Sequence, residues 1–144
     1  MPTLPFTPHQ TQRGFTLLEL LVVMAIIGML ASYVGPKYFS QLGQSEHKVA
    51  RAQVEALARA LDTYRLDVGR YPNNAEGLAS LVKRPASAGT RWNGPYLSKA
   101  VPLDPWGQPY RYRNPGTQGR EIDVGSLGSD TQPGGTGPAA DITN

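Results

Sequence analysis

The stretch "RGFTLLELLVVMAIIGMLA", residues 13–31, decides how this chain is built. Between Arg13 and Pro36, Glu19 is the only charged side chain. From Phe15 to Pro36 the run is 22 residues, about 33 Å as a helix and enough for a bilayer core of about 30 Å. A cleaved secretory signal competes with a membrane helix here, and Ala31 and its neighbours loosely supply the small residues of a cleavage site. Two features favour a retained helix: the run is long for a signal's apolar region, and a helical pattern resumes beyond Pro36. A carboxylate inside a bilayer costs several kcal/mol. Glu19 therefore either sits at the interface and reaches water or meets a positive charge. A cut between Gly14 and Phe15 would create such a charge, an α-amino group one helical turn from Glu19.

The whole chain has 144 residues, the length of one ordinary domain. Its formal charge of +3 is small and its basic residues are scattered, which argues against a nucleic-acid partner. It has no cysteine, so disulfides, thiolate nucleophiles and Cys-ligated zinc are excluded. Its two histidines are His9, near the start, and His47, among polar residues. No Ser-His-Asp set, phosphate loop or catalytic carboxylate pair can be assembled, so a structural role is expected rather than an enzyme.

Ala25, Gly28, Ser32 and Gly35 share one helix face, and small residues on such a stripe let helix backbones approach. Gly35-Pro36 is expected to bend or break the helix, because Pro36 cannot donate to the carbonyl four residues back. Beyond it, Ala50, Val54, Leu57, Leu61, Tyr64 and Val68 recur at spacings of four and three, the pattern of an amphipathic helix. Glu55 and Arg59 form an i,i+4 pair on its polar face. Gly69 suggests the C-cap, and Pro72 forbids continuation.

The 16 glycines and 13 prolines lie mostly after Gly69, which predicts a turn-rich second half. Asn73 and Glu76 have the spacing of a capping box, and Leu78, Leu81 and Val82 form a short apolar stripe. Asp104-Pro105-Trp106-Gly107 fits a type I turn. Tyr110 and Tyr112 alternate with Arg111 and Arg113, and Ile122 and Val124 alternate with Glu121 and Asp123; two or three short antiparallel strands laid on the long helix would bury its stripe. Trp92 and Trp106 read better as core or turn anchors than as a sugar platform. The tail "SLGSDTQPGGTGPAADITN" has the composition of a disordered end. Yet Asp130 and Asp141 bracket its glycines, and Ile142 offers an apolar anchor. Carboxylates and turned-in carbonyls suit Ca²⁺, although the spacing matches no EF-hand.

The opening stretch resembles the class III signal of type IV pilins and type II secretion pseudopilins. The stretches "LDTYRLDVGRYPNNAEGLASLV", "GPYLSKAVPLDPWGQPYRYRNPG" and "DVGSLGSD…ADI" resemble the major pseudopilins of type II secretion in particular. The resemblance implies an α+β, type IV pilin-like fold: a long N-terminal helix with a membrane-spanning first half, packed on a small antiparallel sheet with a C-terminal metal-binding loop. It implies a leader of residues 1–14, a transmembrane and filament-core helix over 15–36, and a periplasmic domain over 37–144. A prepilin peptidase would cut after Gly14 and N-methylate Phe15, and Glu19 would help a subunit dock at the base of a growing filament. The implied role is the major subunit of a periplasmic filament that drives folded proteins across the outer membrane. The subunit would be held in the inner membrane by a single pass, with copies of itself, minor pseudopilins and the inner-membrane assembly platform as partners. The implied cofactor is Ca²⁺, held by the Leu127 carbonyl and the Asp130 and Asp141 carboxylates. The chain departs from the family's pattern in its leader, where Arg13 is the only charge, and in its more Pro-rich, less acidic loop. A type IV or competence-type pilin stays open as an alternative, though many of those close a C-terminal loop with a disulfide. So does a monomeric, membrane-anchored, calcium-dependent binding module.

Overall fold

The computed structural model describes residues 14–144. One long helix, α1 (Leu17–Val68), is followed by three short 3₁₀ turns and three strands, β1 (Arg111–Arg113), β2 (Asp123–Ser126) and β3 (Ile142–Thr143). The chain divides into two compact units, one ending at Phe39 and one spanning Ser40–Asn144. The leader read over residues 1–14 lies, up to Arg13, outside the described residues, as does His9.

In the first unit the apolar side chains of α1 face outward. Leu17, Met29, Tyr33 and Phe39 are all more than two-thirds exposed, and no residue of the apolar window is buried. Among the described residues α1 is the one helix long and apolar enough to cross a membrane. Of the bend or break expected at Gly35-Pro36, the break does not occur: Pro36 lies inside α1. Proline removes one backbone bond and costs about 3 kcal/mol in a helix interior. The turns on either side of it keep their own hydrogen-bond ladder, and helix propagation is cooperative enough to span one lost bond.

The second unit is organised by the expected stripe. Ala50, Val54, Leu57, Leu61, Tyr64 and Val68 are all buried. The helix stops where Gly69 turns left-handed at φ +89°, and its N–H donates to the Arg65 carbonyl at 2.7 Å. The Glu55–Arg59 pair forms at 3.9 Å on an exposed surface, where such pairs contribute little. The strands form an antiparallel sheet in the order β1-β2-β3, with Tyr112 opposite Val124 and Ser126 opposite Ile142. Tyr110, Ile122, Val124 and Ile142 join the helix stripe, Leu78 and Leu81 in one cluster of buried residues. Trp92 and Tyr96 extend it, with Tyr96 edge-on to both Tyr64 and Trp92. Both tryptophans are anchored as expected: the Trp92 indole donates to the Ser80 carbonyl, and the Trp106 indole to Glu46 on α1.

Between helix and sheet, Asn73 and Glu76 make the reciprocal box. The Asn73 N–H donates to Glu76 Oε2 at 2.8 Å, and the Glu76 N–H donates to Asn73 Oδ1 at 2.9 Å. The box closes a turn ahead of the 3₁₀ segment Leu78–Leu81, not an α-helix. Arg70 grips the same carboxylate with two bonds of 2.8 Å, and Ser87 donates to it as well. The Arg70 guanidinium and these hydrogen bonds hold the Glu76 carboxyl at about 2, against an ordinary value of 4.5.

Two outcomes follow from this packing. Tyr64 is fully buried, and its hydroxyl has no hydrogen-bond partner among the described residues. Tyr64→Phe should keep the ring packing and raise stability by roughly 1 kcal/mol, because an unpaired buried hydroxyl is removed. Tyr64→Ala should cost about 3–5 kcal/mol. Urea unfolding of the detergent-solubilised chain measures both, and a Phe variant much less stable than wild type would show that the hydroxyl is paired. The second outcome concerns pH. Because the folded-state value of Glu76 lies below 4.5, its contribution is complete above that pH and fades as pH falls towards about 2. Glu76→Gln should therefore be less stable than wild type at neutral pH by on the order of 2 kcal/mol, discounted for the part-exposed Arg70. Melts across pH 2–7 should show that gap closing as the medium becomes acid.

Candidate functional site

Two places on the chain carry the residues singled out in the sequence. The first is the start of α1. Gly14, Phe15 and Thr16 precede the helix, and Phe15 stands 82% exposed. The Thr16 N–H donates to Glu19 Oε2 at 2.8 Å, and the Thr16 hydroxyl donates to the same oxygen at 3.0 Å. The Glu19 N–H returns a bond to Thr16 Oγ1 at 3.2 Å. Thr16 and Glu19 thus form a capping box, satisfying backbone donors that a helix start leaves open. Thr-Leu-Leu-Glu, residues 16–19, carries the sequence signature of such a box. Glu19 Oε1 takes no hydrogen bond among the described residues. The stripe of Ala25, Gly28, Ser32 and Gly35 follows on the same helix, with open space beside Gly28 and Gly35.

The second place is the loop from Leu127 to Asp141. Its composition suggests disorder, but the backbone closes on itself. The Asp141 N–H donates to the Gly134 carbonyl at 3.1 Å, and the Gly134 N–H donates to Asp141 Oδ2 at 3.0 Å. A short 3₁₀ turn, Gly137–Ala139, leads into β3. Two glycines permit this closure. A Cβ at Gly135 would lie 2.3 Å from the Ala139 carbonyl oxygen, and one at Gly128 would lie 2.8 Å from the Ala140 carbonyl oxygen. Both also have positive φ, which side-chain-bearing residues adopt at a cost.

Of the three expected ligands, the structure brings two together. Leu127 and Asp141 line one open cleft of about 620 Å³. Asp130 is not part of that wall; its neighbour Thr131 lines a smaller cleft of about 190 Å³ that also includes Leu127. Asp130 Oδ1 instead accepts the Gln132 N–H at 3.1 Å. Each carboxylate thus spends one oxygen on the loop backbone and keeps the other, Asp130 Oδ2 and Asp141 Oδ1, without a hydrogen bond among the described residues. The donors are all oxygens, the set a hard cation prefers. Among the described residues, no three His, Cys, Asp or Glu side chains gather as a ligand set. A cation here would rely on backbone carbonyls for much of its shell. Arg111 and Arg113 line the wider cleft too, and their charge opposes a cation and weakens its binding.

Asp104 has a second role that its turn pattern does not announce. Asp104 opens the expected turn, in which the Gly107 N–H donates to the Asp104 carbonyl at 2.9 Å. Its carboxylate is also buried and reaches Ser126 at the end of β2. A local pattern announces the turn, but nothing local announces a partner 22 residues away.

Comparison with known proteins bears on the whole chain. Residues 37–144 match the family model for type II secretion system (T2SS) protein G, and residues 9–34 match the model for the prokaryotic N-terminal methylation motif. The type II secretion system core protein G of Pseudomonas aeruginosa is 44% identical over 138 residues, spanning 94% of this chain and 96% of the relative. That of Vibrio cholerae is 44% identical over 135 residues, covering 92% of this chain and 91% of the relative. The crystal structure of the major pseudopilin from the type 2 secretion system of enterohaemorrhagic Escherichia coli superposes with a TM-score of 0.60 at 34% identity. It covers 74% of this chain and 91% of its own. The two family models cover residues 9–34 and 37–144 between them, the Pseudomonas and Vibrio relatives match over nine-tenths of the chain, and the chain belongs to the type II secretion system protein G family.

Proposed function

We propose that this chain is the major structural subunit of the type II secretion pseudopilus, polymerising into a filament that drives folded proteins across the outer membrane. The observation that carries this reading is the outward-facing apolar length of α1, Leu17 to Phe39, on a chain whose remainder is a compact family domain. Such a surface does not stay in water. Before assembly it would sit in the inner membrane as a single span, with the domain in the periplasm. In the filament it would pack against the same helix of other copies, and the small-residue face at Ala25, Gly28, Ser32 and Gly35 would let helices approach closely. Copies of itself, minor pseudopilins, the inner-membrane assembly platform and a prepilin peptidase are the proposed partners. The role is structural and needs no catalytic group of its own.

Gly14 and Phe15 are the proposed processing site, with the peptidase cutting between them and methylating the new amino group. Glu19 is the proposed assembly residue, its free Oε1 available to the terminal amine of a neighbouring subunit. Intact-mass measurement of membrane-purified protein should find a chain beginning at N-methyl Phe15; a chain still carrying Met1, or beginning after Ala31, would defeat this reading. Glu19→Ala should be processed and inserted normally, since it loses a charge that is costly in lipid. It should give no filaments on overexpression and no secretion, and wild-type secretion by this variant would reduce Glu19 to a helix cap.

We also propose that the loop binds Ca²⁺ through the Leu127 carbonyl and the free oxygens of Asp130 and Asp141. The oxygen-only donors and the shared cleft of Leu127 and Asp141 support this. With few carboxylates and two guanidinium neighbours, an affinity of roughly 10⁻⁴–10⁻³ M, that of extracellular modules, is expected. Ligand at about a hundred times its dissociation constant adds about 2.7 kcal/mol of stability. The detergent-solubilised chain should therefore melt higher in millimolar Ca²⁺ than in EGTA. Mg²⁺ should substitute poorly, because it demands a tighter octahedral shell. Asp130→Ala and Asp141→Ala should each abolish most of the difference, and identical wild-type melts in Ca²⁺ and EGTA would remove calcium from the reading.

A further inference from the structure

We infer that Asp104, acting through Ser126, is the positioning residue that aims the Leu127 carbonyl of the C-terminal loop. This rests on reading that loop as a cation site. Asp104 is 5% exposed and Ser126 3% exposed, so both polar side chains are committed to the interior. The Ser126 hydroxyl donates to Asp104 Oδ2 at 2.5 Å. The Gly128 N–H donates to Ser126 Oγ at 3.2 Å. A hydroxyl has one proton. Spent on the Asp104 carboxylate, it leaves the oxygen's lone pairs to face Gly128. The negative charge of Asp104 thus fixes the polarity of the relay.

The relay ends on the peptide unit that joins Leu127 to Gly128. That unit is planar and trans, so its N–H and C=O point in opposite directions. Holding the Gly128 N–H on Ser126 turns the Leu127 carbonyl away from Ser126. Leu127 lines both clefts beside the loop, and Asp104 and Gly128 line the smaller one with it.

Asp104 can serve as a fixed post because its own position is heavily determined. Its Oδ1 accepts the Trp106 N–H at 3.1 Å and the Gln108 N–H at 2.7 Å. Its backbone N–H donates to the Gln108 carbonyl at 2.8 Å. Trp106, in the same turn, is tied to Glu46 on α1 by its indole N–H at 3.1 Å. The aim of a loop carbonyl is thereby referred back to the long helix. Groups that orient a metal's ligands without touching the metal typically set affinity by about 10–100-fold.

The test uses the full chain in detergent, with Ca²⁺ as probe and two variants. Asp104→Asn keeps an oxygen for the Trp106 and Gln108 N–H groups but turns a donor towards Ser126. The hydroxyl must then accept from both sides, and its own proton loses its acceptor. Ser126→Ala removes the relay outright and is the second variant should the first not fold. Calorimetric titration should show the calcium dissociation constant raised about 10–100-fold in each folded variant. Hydrogen exchange in EGTA should show the Gly128 amide exchanging faster than in wild type. A folded variant with the wild-type constant and unchanged Gly128 exchange overturns the inference. If wild type itself takes up no Ca²⁺, the calcium reading fails, and Gly128 exchange alone decides the relay: faster exchange in the variants sustains it, and unchanged exchange ends it.

Discussion

The Ser40–Asn144 unit depends on one constraint: a single face of α1 must be covered, and little chain is available to cover it. Ala50, Val54, Leu57, Leu61, Tyr64 and Val68 are all buried, and each large apolar side chain so covered contributes about 1.5–3 kcal/mol. The cover is a sheet of three short strands, extended by 3₁₀ turns and aromatic side chains. So small a sheet has marginal stability alone. It persists because Tyr110, Val124 and Ile142 meet the helix, and because polar ties run from helix to cover. Tyr110 donates its hydroxyl to Gln53, Trp106 its indole to Glu46, and Tyr96 its hydroxyl to Asp67. Burial of the Tyr110 ring, and secondarily the nearby Asp104 charge, pushes its hydroxyl up to about 12, so it remains a donor across the physiological range.

The same shortage of cover explains the C-terminus. β3 supplies Ile142 to the core, so the loop before it must return the chain to the sheet edge. A disulfide cannot do this in a chain without cysteine. Closure rests on the paired bonds between Gly134 and Asp141, on two glycines pressed against carbonyls, and on the Asn144 backbone N–H held by the Val124 carbonyl. These are exposed, individually modest bonds, each worth about 0.5–1.5 kcal/mol. A cation that joined the free oxygens of the loop would add directly to the weakest part of the fold.

How far the sequence alone reaches is set by the range of each interaction. The helix stripe, the stop at Gly69, the Asn73–Glu76 box and the strand alternation around Tyr112 and Val124 arise from neighbours within a few residues, and each leaves a local pattern. At Pro36 the local penalty does not break the helix, because the long helix around it absorbs one lost bond. Composition alone does not decide the tail: glycine and proline look like disorder until the partners that order them are known, and the bond from Gly134 to Asp141 crosses seven residues. The tie between Asp104 and Ser126 spans 22. Its two residues are ordinary in their own surroundings, and only folding shows that the chain returns there. The oxygens of the loop are likewise legible as a chemistry, whereas their convergence depends on the backbone's path; Leu127 and Asp141 line one cleft, and Asp130 is not part of its wall.

Glu19 shows how a local motif can use one oxygen of a carboxylate and leave the other free. A carboxylate in an apolar helix is costly unless its oxygens are satisfied. Thr16 supplies two donors to Oε2, so the free subunit carries a partly compensated charge. Hydrogen bonds to a charged group are stronger than those between neutral groups. A neighbour's amine that had to displace Thr16 would forfeit that energy. One that approached Oε1 would not, and the cap and the docking contact could stand together on the two oxygens of one carboxylate. The capping box also holds the side chain in one place at the first turn of the helix. Under the docking role proposed for Glu19, an incoming charge would meet an oriented acceptor whose ordering the monomer has already met.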